Sequence, residues 1–485
     1  RSIEKVEMKS IKKNYIYNLT YQILALMAPL ITTPYVSRVL GAEAIGEYSY
    51  AYSIVYYFML AAILGTATYA EREISFCQDD RTKRSARFWN LFFLRNITSV
   101  VSALVYALMV GLCFNNKLMA TIVALNIVSV GLDTVWLFQG MEEFGRITLR
   151  DTCIKLLAIA SIFLFIKRTE DIYLYALIMS LSPVVSAVSL LPFLHRYIDK
   201  ICIKEVHPFY DFKSIIGLFI PTIAISVYAM LDKTMLGIFT TTKVENGYYE
   251  QATKLSKTAL TVVTSLGTVM IPRISYYFEK KQTKLINEYM LKSYQFALLL
   301  GLPICFGLIG ISDNLVPWFY GEGYDKVSVL LKVSGFLVIA IGLSNITGLQ
   351  YLVPTKQQNK LTKSVCTGAL VNIVLNAILI PKWYSVGAAI ASVMAEFSVT
   401  FVQFIYVKDQ FNLKQVAKLV PRYFVASMMM LLLLKAEDIV LQPGIFNTML
   451  MVVSGAVTYF VVLFILRDKF VFEAFAILKK KIRKG

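Results

Sequence analysis

IFNTMLMVVSGAVTYFVVLFIL, residues 445–466, is a run of 22 residues without a single charge. Coiled at about 1.5 Å per residue, it reaches about 30 Å, the thickness of a bilayer's hydrocarbon core. Its inner flank, Arg467 onward, is rich in Lys and Arg. A basic flank beside a long apolar run is the mark of a transmembrane helix that ends on the cytoplasmic side.

Working outward, similar runs recur to the N-terminus. We place them near 14–38, 45–69, 88–114, 118–141, 148–166, 172–194, 211–239, 248–272, 293–311, 327–353, 361–380, 386–407 and 418–434. With 445–466 they make about fourteen spans. The chain of 485 residues is 57% hydrophobic and 16% charged. Soluble domains carry about 25% charged residues, so the composition points to membrane rather than water.

The positive residues fix the phase. With a cytoplasmic N-terminus, 36 of the 49 Lys and Arg fall in inner segments, 8 in outer connections and 5 inside spans. A missed helix would invert every later loop, so this alternation predicts both termini on the cytoplasmic side. The net charge of +18 follows from the same rule and predicts no nucleic-acid partner. Six cysteines without a CxxC pair read as buried thiols, and two histidines are too few for a metal site.

An internal repeat is visible. Pro29, Leu40-Gly41 and Gly46-Glu47-Tyr48 answer to Pro221, Leu236-Gly237 and Gly247-Tyr248-Tyr249. We expect two six-helix lobes, 10–200 and 201–410, with 411–485 as two appended helices and a basic tail. Both lobes start inside, which makes the repeat parallel.

Charges at membrane depth cost about 2.5–3.5 kcal/mol on insertion scales and mark cavities or partners. Arg38, Arg95, Lys233, Lys254 and Lys257 are the candidate cations. Lys254 and Lys257 are three residues apart, hence on one helix face. Cations of this kind hold phosphate or pyrophosphate, or else pair with local acids. The deep acids are Asp133, Asp232 and Glu396. Each is a candidate for coupling proton or sodium movement, or a silent partner of a base. No Gly-Lys dipeptide and no Gly-x-Ser-x-Gly elbow occurs, so ATP hydrolysis and hydrolase chemistry are not expected. The outer connections carry no His or Arg cluster of the kind a membrane polymerase or ligase needs.

Thr33-Pro34-Tyr35-Val36-Ser37-Arg38-Val39-Leu40-Gly41, followed by Gly46-Glu47-Tyr48, resembles the opening motif of bacterial polysaccharide repeat-unit flippases. Asp133-Thr134-Val135-Trp136-Leu137-Phe138-Gln139-Gly140 resembles their fourth-helix exit. Asp232-Lys233-Thr234-Met235-Leu236-Gly237 and Gly247-Tyr248-Tyr249-Glu250-Gln251-Ala252, closed by Pro272-Arg273, resemble their seventh and eighth helices. The likeness runs in order from about 10 to 410. These flippases form a family within the multidrug/oligosaccharidyl-lipid/polysaccharide exporter superfamily. The resemblance implies an all-α membrane protein of two six-helix lobes in a V, alternating between inward- and outward-facing states. It implies a monomer in the bacterial cytoplasmic membrane and an undecaprenyl-pyrophosphate-linked oligosaccharide as cargo, such as a capsule, O-antigen or teichoic acid unit. It also implies a cationic cavity for the pyrophosphate, an ion gradient as drive, no cofactor, and polysaccharide polymerase machinery as a partner downstream. Two rivals share the fold. A lipid II flippase also carries a pyrophosphate; a multidrug or organic-cation exporter needs an acidic cavity, against the basic residues here.

Overall fold

The computed structural model describes residues 2–200 and 206–473, with the side chains of 2–23, 113, 217–222, 224–225, 228–229 and 268 left aside. Pro221 is among these. Every described element is helical. In order they are α1 (Ser2–Ile63), α2 (Thr66–Phe76), α3 (Arg81–Cys113), α4 (Lys117–Val123), α5 (Leu125–Leu132), α6 (Val135–Gly140), α7 (Phe144–Phe165) and α8 (Ile172–Leu190). Then come α9 (Phe212–Phe239), α10 (Val244–Thr264), α11 (Gly267–Glu279), α12 (Thr283–Tyr320), α13 (Asp325–Asn345), α14 (Gln358–Val407), α15 (Leu413–Val440) and α16 (Ile445–Ile465).

Each of the fourteen apolar runs falls on helix. Two elements hold two runs apiece. Gly41 interrupts α1 with φ 77° and ψ 169°, and Tyr384 interrupts α14 with φ 53° and ψ −128°. Glycine enters the positive-φ region without a Cβ penalty, so Leu40-Gly41 ends the first span there. Tyr384 does so against the ordinary preference of a bulky residue. Span 4 is assembled from α4, α5 and α6, and span 8 from α10 and α11. Among the described residues, nine helices are long and apolar enough to cross a membrane, or ten if the bent α10–α11 pair is one span. Two of the nine are the doubled α1 and α14.

The outer surface matches a bilayer. On α3, Val100, Val101, Leu104, Val105, Leu108 and Leu112 are all exposed. In water such a stripe would be a large apolar patch; in lipid it is solvated. Cys305 is buried, but Cys153 and Cys366 are exposed on helix surfaces, against the expectation of buried thiols. An apolar thiol is as well placed facing lipid as facing a core.

The chain packs as two compact units, 1–247 and 248–485. The first is built on Val55, Tyr106, Ile127 and Ala176, with a second cluster around Phe88, Trp136 and Phe138. The second is built on Tyr294, Leu302, Val338, Tyr423 and Tyr459. Many polar atoms inside each unit are matched helix to helix, as lipid supplies no partner. In the second unit Tyr294 pairs with Thr347 at 2.7 Å, Tyr459 donates to the Leu299 carbonyl at 2.8 Å, and Thr400 to the Ala340 carbonyl at 3.0 Å.

Basic residues at the start of α3 hold the segment that follows α8. Arg84 donates to the Tyr197 carbonyl at 2.7 and 2.8 Å and also to the Gln78 carbonyl, and Arg81 reaches the His195 carbonyl at 2.9 Å and Asp199 at 2.8 Å. Arg87 pairs with Asp211 at 2.5 Å. At the chain's other end, buried Asp468 accepts from Arg422 at 3.0 Å and from Tyr423 at 3.2 Å, fixing the segment after α16 to α15.

Candidate functional site

Arg95 and Asp133 come from separate spans and meet in the first unit. Arg95 Nη2 donates to Asp133 Oδ2 at 3.0 Å. The Arg95 side chain is 3% exposed and that of Asp133 29%. Asp133 is not inside a helix, where the sequence reading puts it. It stands in extended conformation at the break between α5 and α6. Its Oδ1 accepts the Val135 N–H at 3.0 Å, which caps the start of α6. Asn126, a heptad earlier, turns to α8 instead and donates to Ser180 Oγ at 3.0 Å. Arg95 Nε and Nη1, Ser99 Oγ and Thr134 Oγ1 are buried without hydrogen-bond partners among the described residues. The pair is thus a neutralised charge with spare donors beside a broken helix.

Asp232 and Lys233 sit on α9, each 8% exposed and each already engaged. The Lys233 carbonyl accepts from Asn246 Nδ2 at 2.7 Å. Next along, Thr234 Oγ1 donates to Ser53 Oγ at 2.9 Å and lies 3.0 Å from the Tyr57 hydroxyl, both on α1. This face of α9 therefore seats on the second half of α1. Arg38 is exposed on α1, three residues before the Gly41 break.

Lys254 and Lys257 belong to the second unit. They occupy one face of α10, Lys254 half-buried one turn after Glu250 and Lys257 exposed. Glu396, half-buried on α14, offers its carbonyl to Thr400 at 3.0 Å.

Beside the start of α10 the repeat motif turns out to be a contact. A Cβ on Gly46 would lie 1.7 Å from the Lys243 carbonyl oxygen, and one on Gly247 would lie 1.9 Å from that of Ala42. Each oxygen belongs to the residue four before the opposite glycine. Such reciprocity is the signature of a local two-fold. A third close approach follows at Gly237, where a Cβ would fall 2.0 Å from Tyr50.

Of these residues Gly237, Tyr50 and Lys243 also line a polar cavity of about 610 Å³ in the first unit. Glu43, Glu47 and Tyr50 of α1, Asn115 and Asn116 before α4, and Lys243 before α10 line it. Asn116 Nδ2 donates to Glu47 Oε2 at 3.0 Å and to the Tyr173 hydroxyl at 3.1 Å, while its Oδ1 caps α4 through the Met119 N–H. Lys243 Nζ donates to the Gly237 and Thr240 carbonyls at 2.5 and 3.1 Å and lies 4.7 Å from the Tyr50 ring centre. Burial pulls the Lys243 ammonium below the ordinary lysine value, and Glu47 opposes that shift. Glu47 enters the sequence reading only within Gly46-Glu47-Tyr48, and nothing local marks Glu43 or Glu47 as a cavity wall. Their partners are distant in sequence, Asn116 lying 69 positions from Glu47.

The second unit has a cavity of the opposite chemistry. It is about 320 Å³, lies between α12, α15 and α16, and is walled by side chains such as Leu300, Ile304, Met430, Leu434, Val452 and Phe460. Nearby, Asp313 of α12 accepts from Lys332 of α13 at 2.6 Å and from Lys435 of α15 at 2.9 Å. This bridge ties the thirteenth span to the rest of the unit across separations of 19 and 122 positions, which no local pattern announces.

A bundle of membrane-crossing helices with broken spans and buried polar groups is the architecture of a transporter. The likeness to solved structures is in accord. The chain superposes on "Lipid II flippase MurJ, inward closed conformation" with a TM-score of 0.72 at 16% identity, over 94% of this chain and 99% of that one. It superposes on an inward-facing multidrug resistance MATE family transporter of the MOP superfamily with a TM-score of 0.64 at 11% identity, over 83% and 98%. At these identities the match shows the fold alone. By sequence, residues 11–278, more than half the chain, match the family described as "Polysaccharide biosynthesis protein", and the chain belongs to that family. A relative from Escherichia coli (strain K12), "Putative O-antigen transporter", is 25% identical over 405 residues, covering 82% of this chain and 97% of the relative. "Probable low-salt glycan biosynthesis flippase Agl15" of Haloferax volcanii is 24% identical over 168 residues, 35% of each chain. The expected all-α, multi-span fold and the expected flippase family both stand. The family and these neighbours are transporters and flippases, not catalysts.

Proposed function

We propose that this protein flips an undecaprenyl-pyrophosphate-linked oligosaccharide from the inner to the outer leaflet of the bacterial cytoplasmic membrane. Both termini are cytoplasmic, the protein works as a monomer, and lobes 10–200 and 201–410 alternate access. The observation that carries the reading is the basic face of α10. Lys254 and Lys257 stand on one face of a helix in an apolar bundle, in a chain of the polysaccharide biosynthesis family. Ammonium groups at membrane depth favour a phosphate-bearing headgroup. Lys233 and Arg38 are the further phosphate contacts in this reading.

Arg95 enters as a pair with Asp133. Binding of a coupling ion, proton or sodium, at Asp133 would free the guanidinium for the cargo's phosphate and so link that ion to transport. Asp232 and Glu396 are the other coupling candidates, for proton or sodium. The apolar cavity between α12, α15 and α16 supports a polyprenyl-bearing cargo, because its wall offers an alkyl chain nothing to hydrogen-bond.

A lipid II flippase is the second reading, since that cargo also presents a pyrophosphate to a cationic face. Purified protein in proteoliposomes separates the two. We expect exposure of a lipid-pyrophosphate-linked repeat-unit oligosaccharide to an outside probe, with little exposure of lipid II. Lipid II as the better cargo would move the assignment to that branch. Uptake of a cationic dye, with no glycolipid exposed, would move it to drug export.

A further inference from the structure

We propose that the polar cavity of the first unit is a saccharide subsite, built for neutral and amino sugars and selective against acidic ones. It rests on the flippase reading for its place on the glycan's path, and on its own geometry for its ligand.

The cavity, at about 610 Å³, falls within the range of small-molecule sites, roughly 300–1,000 Å³. Its wall offers both halves of a hydroxyl's hydrogen bonding. Glu43 and Glu47 accept, the Asn115 amide donates and accepts, and the Tyr50 and Phe114 rings give flat apolar surface. Glu43 and Glu47 are four apart on α1, hence on one face. The site is preformed. Asn116 is fixed by Glu47, Tyr173 and the start of α4, and backbones are in close approach at Gly46 and Gly247.

Other ligands fit worse. A phosphate would face two carboxylates and one lysine, and that lysine already spends two of its three donors on the Gly237 and Thr240 carbonyls. An acyl chain would strand the amides and carboxylates without partners. Among the described residues no group of three metal-ligating side chains exists. A sugar's hydroxyls satisfy the wall, and the sign of the wall sets the choice. Two carboxylates against one ammonium attract a protonated amino sugar and repel a uronate. Lys243 over Tyr50 shows that the wall accommodates an ammonium against a ring.

The test uses the full chain in nanodiscs and three soluble probes: glucosamine, N,N′-diacetylchitobiose and glucuronate. Saturation-transfer NMR reads the binding. Saturable binding of the first two, with glucuronate at least about tenfold weaker, is expected. The double variant Glu43→Gln/Glu47→Gln should weaken glucosamine about tenfold and narrow the gap to glucuronate. Thr241→Trp, at the exposed rim, should block all three sugars without touching those carboxylates. A thermal melt like that of wild type certifies each variant as folded. No saturable sugar binding by the wild type overturns the proposal, as does binding that both folded variants leave unchanged. Tighter binding of tetraphenylphosphonium than of any sugar overturns it too. Glycolipid flipping is measured separately. Flipping without sugar binding sinks this site alone, and sugar binding without flipping sinks the flippase reading alone.

Discussion

The two cavities differ as the two ends of a glycolipid differ. That of the first unit has carboxylates, amides and a lysine in its wall; that of the second is walled by aliphatic and aromatic carbon. Their origins differ as well. The polar one is walled by side chains drawn from three distant stretches, around residues 45, 116 and 243, and neighbouring backbone at Gly46 and Gly247 crosses where only glycine fits. The apolar one lies in the seam where α15 and α16 join α12, beside Gly307 and Gly455. In the proposed function the first cavity takes sugar and the second the polyprenyl chain.

The strongest way to break this contrast is at the crossing. Gly247→Val places side-chain atoms where the Ala42 carbonyl stands. Overpacking of this kind costs about 1–3 kcal/mol and more when backbone is the obstacle. We expect a clear drop in melting temperature by fluorescence-detected chromatography and loss of sugar binding. A variant with unchanged melting would refute the close approach.

Next in size is the Arg95–Asp133 pair, which lies in the same unit as the polar cavity. Removing one member leaves the other uncompensated, at a cost below the about 3–5 kcal/mol of a fully buried pair because Asp133 is partly exposed. Asp133→Ala should therefore destabilise more than Arg95→Ala/Asp133→Ala together does. Additive losses in that double-mutant cycle would mean the two do not act as a pair.

The apolar cavity gives a smaller and more selective effect. Gly307→Leu fills it from α12, where a Cβ would meet only Met430 Cε at 3.8 Å. Folding should survive, and flipping should slow more for a long polyprenyl cargo than for a short-chain analogue. Equal slowing of both would detach this cavity from the lipid.

The smallest effect is at Lys243. Its folded value lies below that of the unfolded chain, near 10.4 for an ordinary lysine, so between the two the unfolded form binds more protons. Stability should rise with pH across that window, and Lys243→Met should remove the slope. A melting profile with the same slope in both proteins would contradict the shift.

How much of this was legible in the sequence depends on the range of the interaction. The spans are local, each an apolar run bounded by loops of alternating charge, and each falls on helix. Even the breaks left a trace, because Leu40-Gly41 carries its own turn signal. Tyr384 carries none, since no residue preference announces a tyrosine at positive φ. Lys254 and Lys257 share a face as their spacing says. Arg95 and Asp133 were found by depth alone. Depth cannot show that residues 38 apart are partners, nor that Asp133 stands at a helix break. The glycine motif was read as a mark of repetition, while its physical reason, two backbones pressed together at Gly46 and Gly247, needs three dimensions. The polar cavity went unread for the same cause, as its walls are joined only by folding.

The central claim is that a cationic face of α10 receives the pyrophosphate of a glycolipid in transit. Its most direct test compares wild type, Lys257→Arg and Lys257→Glu in proteoliposomes that contain a lipid-pyrophosphate-linked oligosaccharide. An outside probe reports the exposed sugar over time. The account predicts rapid exposure by wild type, most of it kept by Lys257→Arg, and loss in Lys257→Glu with the protein still folded. Undiminished exposure by Lys257→Glu would contradict it.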